Sequence, residues 1–220
     1  MVTKDKINLD DVLMTTLAAF PPLGDIEQRL SIELYRQLAQ GRPVPRTTLA
    51  RCLGIPFETM SGILAGWPGV FSDPEQAIVG YWGLALPTAY KSPHRFTVEG
   101  RILSAWCAWD TLFLPQLLGK PAAVESVSPV DSATIHLTVT PERVERVEPM
   151  GTQMSFLLPD AARVQTDVIS TFCHFLHFFA SQQAGETWAE KHPGTFLLSI
   201  EEAFLLGRRK NAAQYGDVLR

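Results

Sequence analysis

The chain has 220 residues, 46% of them hydrophobic and 19% charged. That is enough apolar material to bury about 70% of the unfolded surface, and the composition excludes disorder and collagen-like order. Nineteen Lys and Arg against 23 Asp and Glu leave a formal net charge of −4, so no global positive field exists to hold a nucleic acid or an anionic membrane, and neither is expected as a partner.

The first 24 residues carry charges through their first eleven positions, and their apolar run is short and stopped by Pro21 and Pro22. This is unlike a secretory signal, and a cytoplasmic location is expected. Residues 25–40 place Ile26, Leu30, Ile32, Leu34 and Leu38 near helical spacing before Gly41 ends the run. Thr47 and Thr48 start a second short helix, and Pro56 opens a third with Phe57, Met60, Ile63 and Leu64 on one stripe. Short β-prone runs follow at 70–71 and 77–86. Residues 1–97 are therefore read as an N-terminal helical extension and a winged-helix-like three-helix module, and 98–220 as a second unit.

The second unit is expected to open with an amphipathic helix over 98–114, ended by Pro115. Strands are expected at 122–128, 134–140, 143–149, 154–159 and 170–179, where β-branched and alternating runs stand between Pro, Asp and Gly breaks. Two helices, at 186–192 and 199–212, close the chain. The most apolar stretch, 168–180, contains two histidines and is too short to span a membrane.

Three cysteines, Cys52, Cys107 and Cys173, are too few and too scattered for a disulfide framework, and a reducing compartment keeps them as thiols. On the expected helix, Cys107 and Asp110 share a face with Leu103 and Leu114. Trp106, Trp109 and Phe113 flank them, and desolvation there raises a carboxyl pKa, so that Asp110 could carry a proton near neutral pH. Two plainer readings stand beside this one: a structural buried thiol, and an aspartate that caps the segment 111–114. Cys173 alone reads as core. Paired with Cys107 it makes a soft, low-coordination site for thiophilic ions and a poor one for calcium or magnesium. His174 and His177 point to opposite faces if 170–179 is a strand, which weakens a zinc reading. Cys52 reads as filler in the small module. The third helix offers only Glu58, Thr59 and Ser61 as polar side chains, with Arg42, Arg46 and Arg51 before it, so a lid or scaffold fits better than a DNA reader.

The segments 41–50 (GRPVPRTTLA), 105–115 (AWCAWDTLFLP), 137–141 (LTVTP), 172–181 (FCHFLHFFAS) and 187–194 (TWAEKHPG) together resemble the alkylmercury (organomercurial) lyases of bacterial mercury resistance, over about residues 27–208. The Cys-x-x-Asp segment and the later Phe-Cys segment occur in order within similar flanks. The resemblance implies an α+β fold, with a winged-helix-like N-terminal part and a catalytic part of small, mainly antiparallel sheets wrapped by helices. It implies protonolysis of the carbon–mercury bond to a hydrocarbon and Hg(II), with Cys107, Cys173 and Asp110 matching the family's two cysteines and acid. It also implies no separate cofactor, small cellular thiols as helpers, and mercuric reductase as recipient of the ion. Ser104, Ser128 and His174 depart from residues found in some relatives, a tyrosine at the first and cysteines at the other two. Two alternatives use the same residues differently: a non-enzymatic mercury- or copper-binding protein, and a winged-helix metal-responsive regulator.

Overall fold

The computed structural model describes residues 8–20 and 22–219. Residues 1–7, which open the charged N-terminal stretch, Pro21 and Arg220 lie outside the described residues. Four helices come first: α1 (Leu9–Ala19), α2 (Asp25–Leu38), α3 (Arg46–Leu53) and α4 (Phe57–Ala65). On α2 the fully buried Leu30, Leu34 and Leu38 recur every four residues, the stripe that a helix turns toward a core. The Glu27 carboxylate accepts the Gly24 N–H at 2.7 Å and closes the start of the helix. The three helices expected over 25–65 are thus present.

Strands β1 (Val70–Ser72), β2 (Ile78–Tyr81), β3 (Leu84–Ala85), β4 (His94–Val98), β5 (Arg101–Ala105), β6 (Ala122–Val127), β7 (Thr134–Val139) and β8 (Val144–Glu148) form one antiparallel sheet in the order β1-β2-β3-β5-β4-β6-β7-β8. Helix α5 (Asp110–Leu118) lies between β5 and β6 in sequence. A second sheet, β10-β9-β11, joins β9 (Gln153–Leu157), β10 (Phe178–Phe179) and β11 (Thr195–Ser199). The remaining helices are α6 (Ala161–Thr171), a 3-10 turn at Cys173–Phe175, α7 (Gln182–Lys191), α8 (Ile200–Tyr215) and a closing 3-10 turn at Gly216–Leu219. The fold is α+β, helices first and antiparallel sheets wrapped by helices after them. Position 97/98 lies inside β4, which is hydrogen-bonded to β5 on one side and β6 on the other. Among the described residues no helix is long and apolar enough to cross a membrane.

Two expected elements are corrected. Residues 98–105 are not helical: Glu99 and Gly100, at φ 48° and 76°, make the two-residue turn of the β4–β5 hairpin, with Val98 opposite Arg101. The helix begins only at Asp110 and carries Pro115 inside it. The strand expected at 170–179 is instead the end of α6, the 3-10 turn and a two-residue strand. Phe172, Leu176, Phe178 and Phe179 are buried by packing around the turn, and burial is what β-propensity largely measures. The strand β11 had no counterpart in the expected elements.

Helix α8 fastens the two halves of the chain. Gly207 lies so close to α5 that a Cβ there would meet the Phe113 Cβ at 2.8 Å. The Trp109 indole N–H donates to Ala203 O at 3.0 Å, and the Gln28 amide donates to Gln214 O at 2.8 Å. Removing residues 1–90 strips β3 from β5 and uncovers the apolar surface that Leu30, Leu34 and Leu38 cover. A fragment starting at Lys91 is expected to aggregate on size-exclusion chromatography; a monodisperse fragment with native-like circular dichroism would show that the N-terminal part is dispensable for folding.

Candidate active site

Asp110 is the first residue of α5, and its carboxylate turns back to accept the Cys107 N–H at 2.8 Å. The Thr111 hydroxyl donates to Ala108 O at 2.7 Å, so residues 107–111 wind tightly around the helix start. Cys107 and Asp110 therefore come together through a capping loop and not as neighbours on one helical face, as their spacing first implied. A carboxylate at this position also faces the positive end of the helix dipole.

The Ala108 N–H donates to Leu176 O at 3.2 Å and ties this loop to the turn that carries Cys173. Ser155 on β9 holds the same turn from the other side: its hydroxyl donates to Phe175 O at 2.7 Å and accepts the His177 N–H at 3.0 Å. The result is a group of three side chains whose ligand atoms, the Cys107 and Cys173 sulfurs and an Asp110 oxygen, all lie within 4.8 Å of one another. The cysteines are free, and all three residues are buried.

Burial pushes the Asp110 carboxyl up to about 6, although hydrogen bonds from Cys107 and the charge of Lys210 pull it back. Burial, the hydrogen bond with Cys173 and the nearby carboxylate hold the Cys107 thiol well above its usual range. The Cys107 hydrogen bond pulls Cys173 down, but burial and Asp110 outweigh it and leave that thiol raised. Near neutral pH the resting site therefore holds two protonated thiols beside a carboxylate that is mostly ionised but far easier to protonate than an exposed one.

A cavity of about 270 Å³ opens onto the group, with Asp110 and Cys173 in its wall. Phe20, Trp82, Trp106, Trp109 and Phe172 belong to its apolar lining. Phe20 meets Trp82 and Phe172 edge-on, each at 5.7 Å, and Trp109 meets Phe156 edge-on at 5.2 Å. Such pairs contribute about 0.5–1.5 kcal/mol each beyond area burial and keep the rings in place. Two sulfurs this close suit a soft ion held by two bonds of roughly 2.3 Å, the length of a zinc–thiolate bond.

Of the other sequence candidates, His174 is exposed and lends only its carbonyl to the His177 ring, at 2.9 Å. Neither histidine joins the cluster. Cys52 is exposed on α3. Ser104 and Ser128 are buried, in β5 and just after β6.

The family model for MerB, alkylmercury lyase, matches residues 88–210. The alkylmercury lyase of Pseudomonas putida is 43% identical over 178 residues, 81% of each chain, and that of Staphylococcus epidermidis is 39% identical over 179 residues, 81% of this chain and 80% of that one. The chain belongs to the alkylmercury lyase family. Its fold also matches a crystal structure of the mercury-bound form of MerB2, with a TM-score of 0.71 at 23% identity, over 92% of this chain and 98% of that one.

Three residues around this family member's cluster were not singled out from the sequence. The Tyr90 hydroxyl is pushed up to about 12, by burial first and then by Cys173, Cys107 and Asp110. Lys210 lines the cavity from α8. Gly83 lies in the β2–β3 turn at φ 95°, and a Cβ there would stand 2.5 Å from the Asp110 carboxylate oxygen. The preceding Trp82 carbonyl is held by the Tyr35 hydroxyl at 2.8 Å, so the turn cannot easily retreat. The sequence signal for Gly83 is a glycine inside the β-prone run 77–86, which marks a bend or a close approach but not what it touches. Gly83→Ala is expected to displace the carboxyl and lower turnover by ~10²-fold, the scale of a 1 Å misplacement at a reacting centre. Circular dichroism checks that the fold persists and product analysis reads the rate; full activity would show that the carboxyl position is not critical.

Proposed function

We propose that this chain cleaves the carbon–mercury bond of organomercury compounds by protonolysis, releasing a hydrocarbon and Hg(II), with Cys107 and Cys173 as mercury ligands and Asp110 as proton carrier. The observation that carries the reading is the buried Cys107–Cys173–Asp110 group within 4.8 Å, opening onto an aromatic cavity, in a chain of the alkylmercury lyase family.

The sequence of steps follows from the chemistry of the groups. The substrate arrives as an organomercury cation carried on a small thiol. One protein thiol displaces that carrier, which leaves with the proton as a free thiol. As the second sulfur binds mercury, its proton passes to the Asp110 carboxylate. Two thiolates raise the electron density at the metal and weaken its bond to carbon, and Asp110 delivers the proton to the departing carbon. The carbon–hydrogen bond forms as the carbon–mercury bond breaks, and no electrons change hands. Two further small thiols then carry Hg(II) away and return protons to Cys107 and Cys173.

The apolar wall suits the organic group and keeps water from competing for the proton. A simple mercury- or copper-binding protein would have no work for a buried carboxyl wedged against its thiols. The need for free thiols supports a reducing compartment, and we place the protein in the cytoplasm. Mercuric reductase is the proposed recipient of the ion. We also propose a division of labour near 97/98, with residues 1–97 as cover and 98–220 as catalytic part, the two sharing one sheet through β4; Phe20 and Trp82 come to the cavity from the first, and Asp110 and Cys173 from the second.

Asp110→Asn keeps size and polarity but cannot accept the thiol proton. The variant should still bind an organomercurial, as mass spectrometry of the adduct would show, while hydrocarbon release falls ~10²–10⁴-fold. Near-normal release would remove Asp110 from the proton path.

A pH profile gives an independent check. The carboxyl must be ionised to receive the thiol proton, and its pKa is about 6. kcat/KM should therefore fall with a one-proton limb as pH drops through about 6, and a rate that is flat between pH 5 and 7.5 would contradict the role.

A further inference from the structure

Lys210 is a buried amine to which the proposed reaction gives no ligand or proton-transfer role, although its charge helps to hold the Asp110 carboxyl down. It stands on α8 one turn beyond Gly207, where that helix lies closest to Phe113, and it is only 6% exposed while lining the cavity. An ammonium group has three donors. The Lys210 Nζ makes one hydrogen bond, to Asn211 Oδ1 at 3.2 Å, and stands 3.8 Å from the centre of the Phe113 ring. Asn211 is fixed in turn by donating to Phe113 O at 3.1 Å and Gln116 Oε1 at 3.0 Å, so its oxygen is held toward the lysine.

No carboxylate forms an ion pair with Lys210 among the described residues. The two acids that share the cavity wall are occupied elsewhere: Glu27 accepts the Gly24 N–H, and Asp110 the Cys107 N–H. A buried amine with a single neutral partner is costly unless an anion completes it. Burial draws its pKa down to about 7, and Asp110 and then Cys107 draw it back up, so a bound anion would readily restore the full charge.

We infer that Lys210 is a specificity-determining residue that receives a carboxylate carried on the organic group of the substrate, so that acid-bearing aryl mercurials are preferred over their neutral counterparts. The inference rests on the lyase reading above. The aromatic wall takes the ring, the thiols take the mercury, and the amine, which lines the same cavity, takes the acid. A charge-assisted hydrogen bond in a dry site is the strong kind, and its loss is felt only by the substrate that makes it.

The test compares kcat/KM for 4-hydroxymercuribenzoate and phenylmercury, with 2-mercaptoethanol as a neutral carrier thiol so that no carboxylate enters on the carrier. The native protein should prefer the benzoate by ~10-fold or more, and Lys210→Met should erase that ratio, whatever it does to both rates together. A ratio near one in the native protein, or one unchanged in the variant, overturns the inference. Release of hydrocarbon from neither substrate would sink the lyase reading instead. A second measurement needs neither turnover nor a variant: benzoate should bind the native protein ~10-fold more tightly than benzamide, as read by tryptophan fluorescence. Equal affinities also overturn the inference.

Discussion

The structure turns on keeping one carboxyl group dry and close to two thiols. Asp110 is buried, and water is replaced around it by a single backbone N–H, the start of a helix and the neighbouring sulfurs. That substitution is only partial, which is why its pKa climbs to about 6. A carboxyl in this state can both take and give a proton within one reaction, whereas a fully satisfied or fully solvated aspartate would hold too little proton affinity.

Maintaining that position requires pieces from distant parts of the chain. The β2–β3 turn leaves space at Gly83, the β5–α5 loop supplies Cys107 and Asp110, and the turn after α6 supplies Cys173. One backbone hydrogen bond, Ala108 to Leu176, sets the second against the third, and Trp109 anchors the loop to α8 through Ala203. The site is therefore a product of the packed sheet and of α8, and no single segment would form it alone.

This explains which parts were legible in the sequence. The three early helices and strands β6 to β9 announce themselves by local periodicity, β-branched residues and punctuation, with burial alternating cleanly along β6 and β7. The pair Cys107 and Asp110 was visible through spacing, yet the assumed helix was wrong: two-residue turn chemistry at Glu99 and Gly100 prevails over apparent amphipathicity, and Pro115 is tolerated within α5. Cys173 could be linked to Cys107 only through the resemblance to a family, since nothing local says that a 3-10 turn 66 residues later returns to the same place. Gly83 and Lys210 matter through what they approach in space, and no window of sequence contains that information.

The aromatic lining has a further consequence for which forms of mercury can use the cavity. Moving an unpaired mercuric dication from water into such surroundings is prohibitively unfavourable, whereas a neutral complex loses little hydration. An organomercury–thiol adduct is neutral, and so is Hg(II) leaving with two thiolates, so both can partition across rings such as Phe20 and Trp82. A hydrated mercuric dication cannot do so at comparable rates. The wall thus acts as a filter against the bare dication: it shields Cys107 and Cys173 from that ion outside, and it makes departure of the product depend on the thiol concentration of the surroundings.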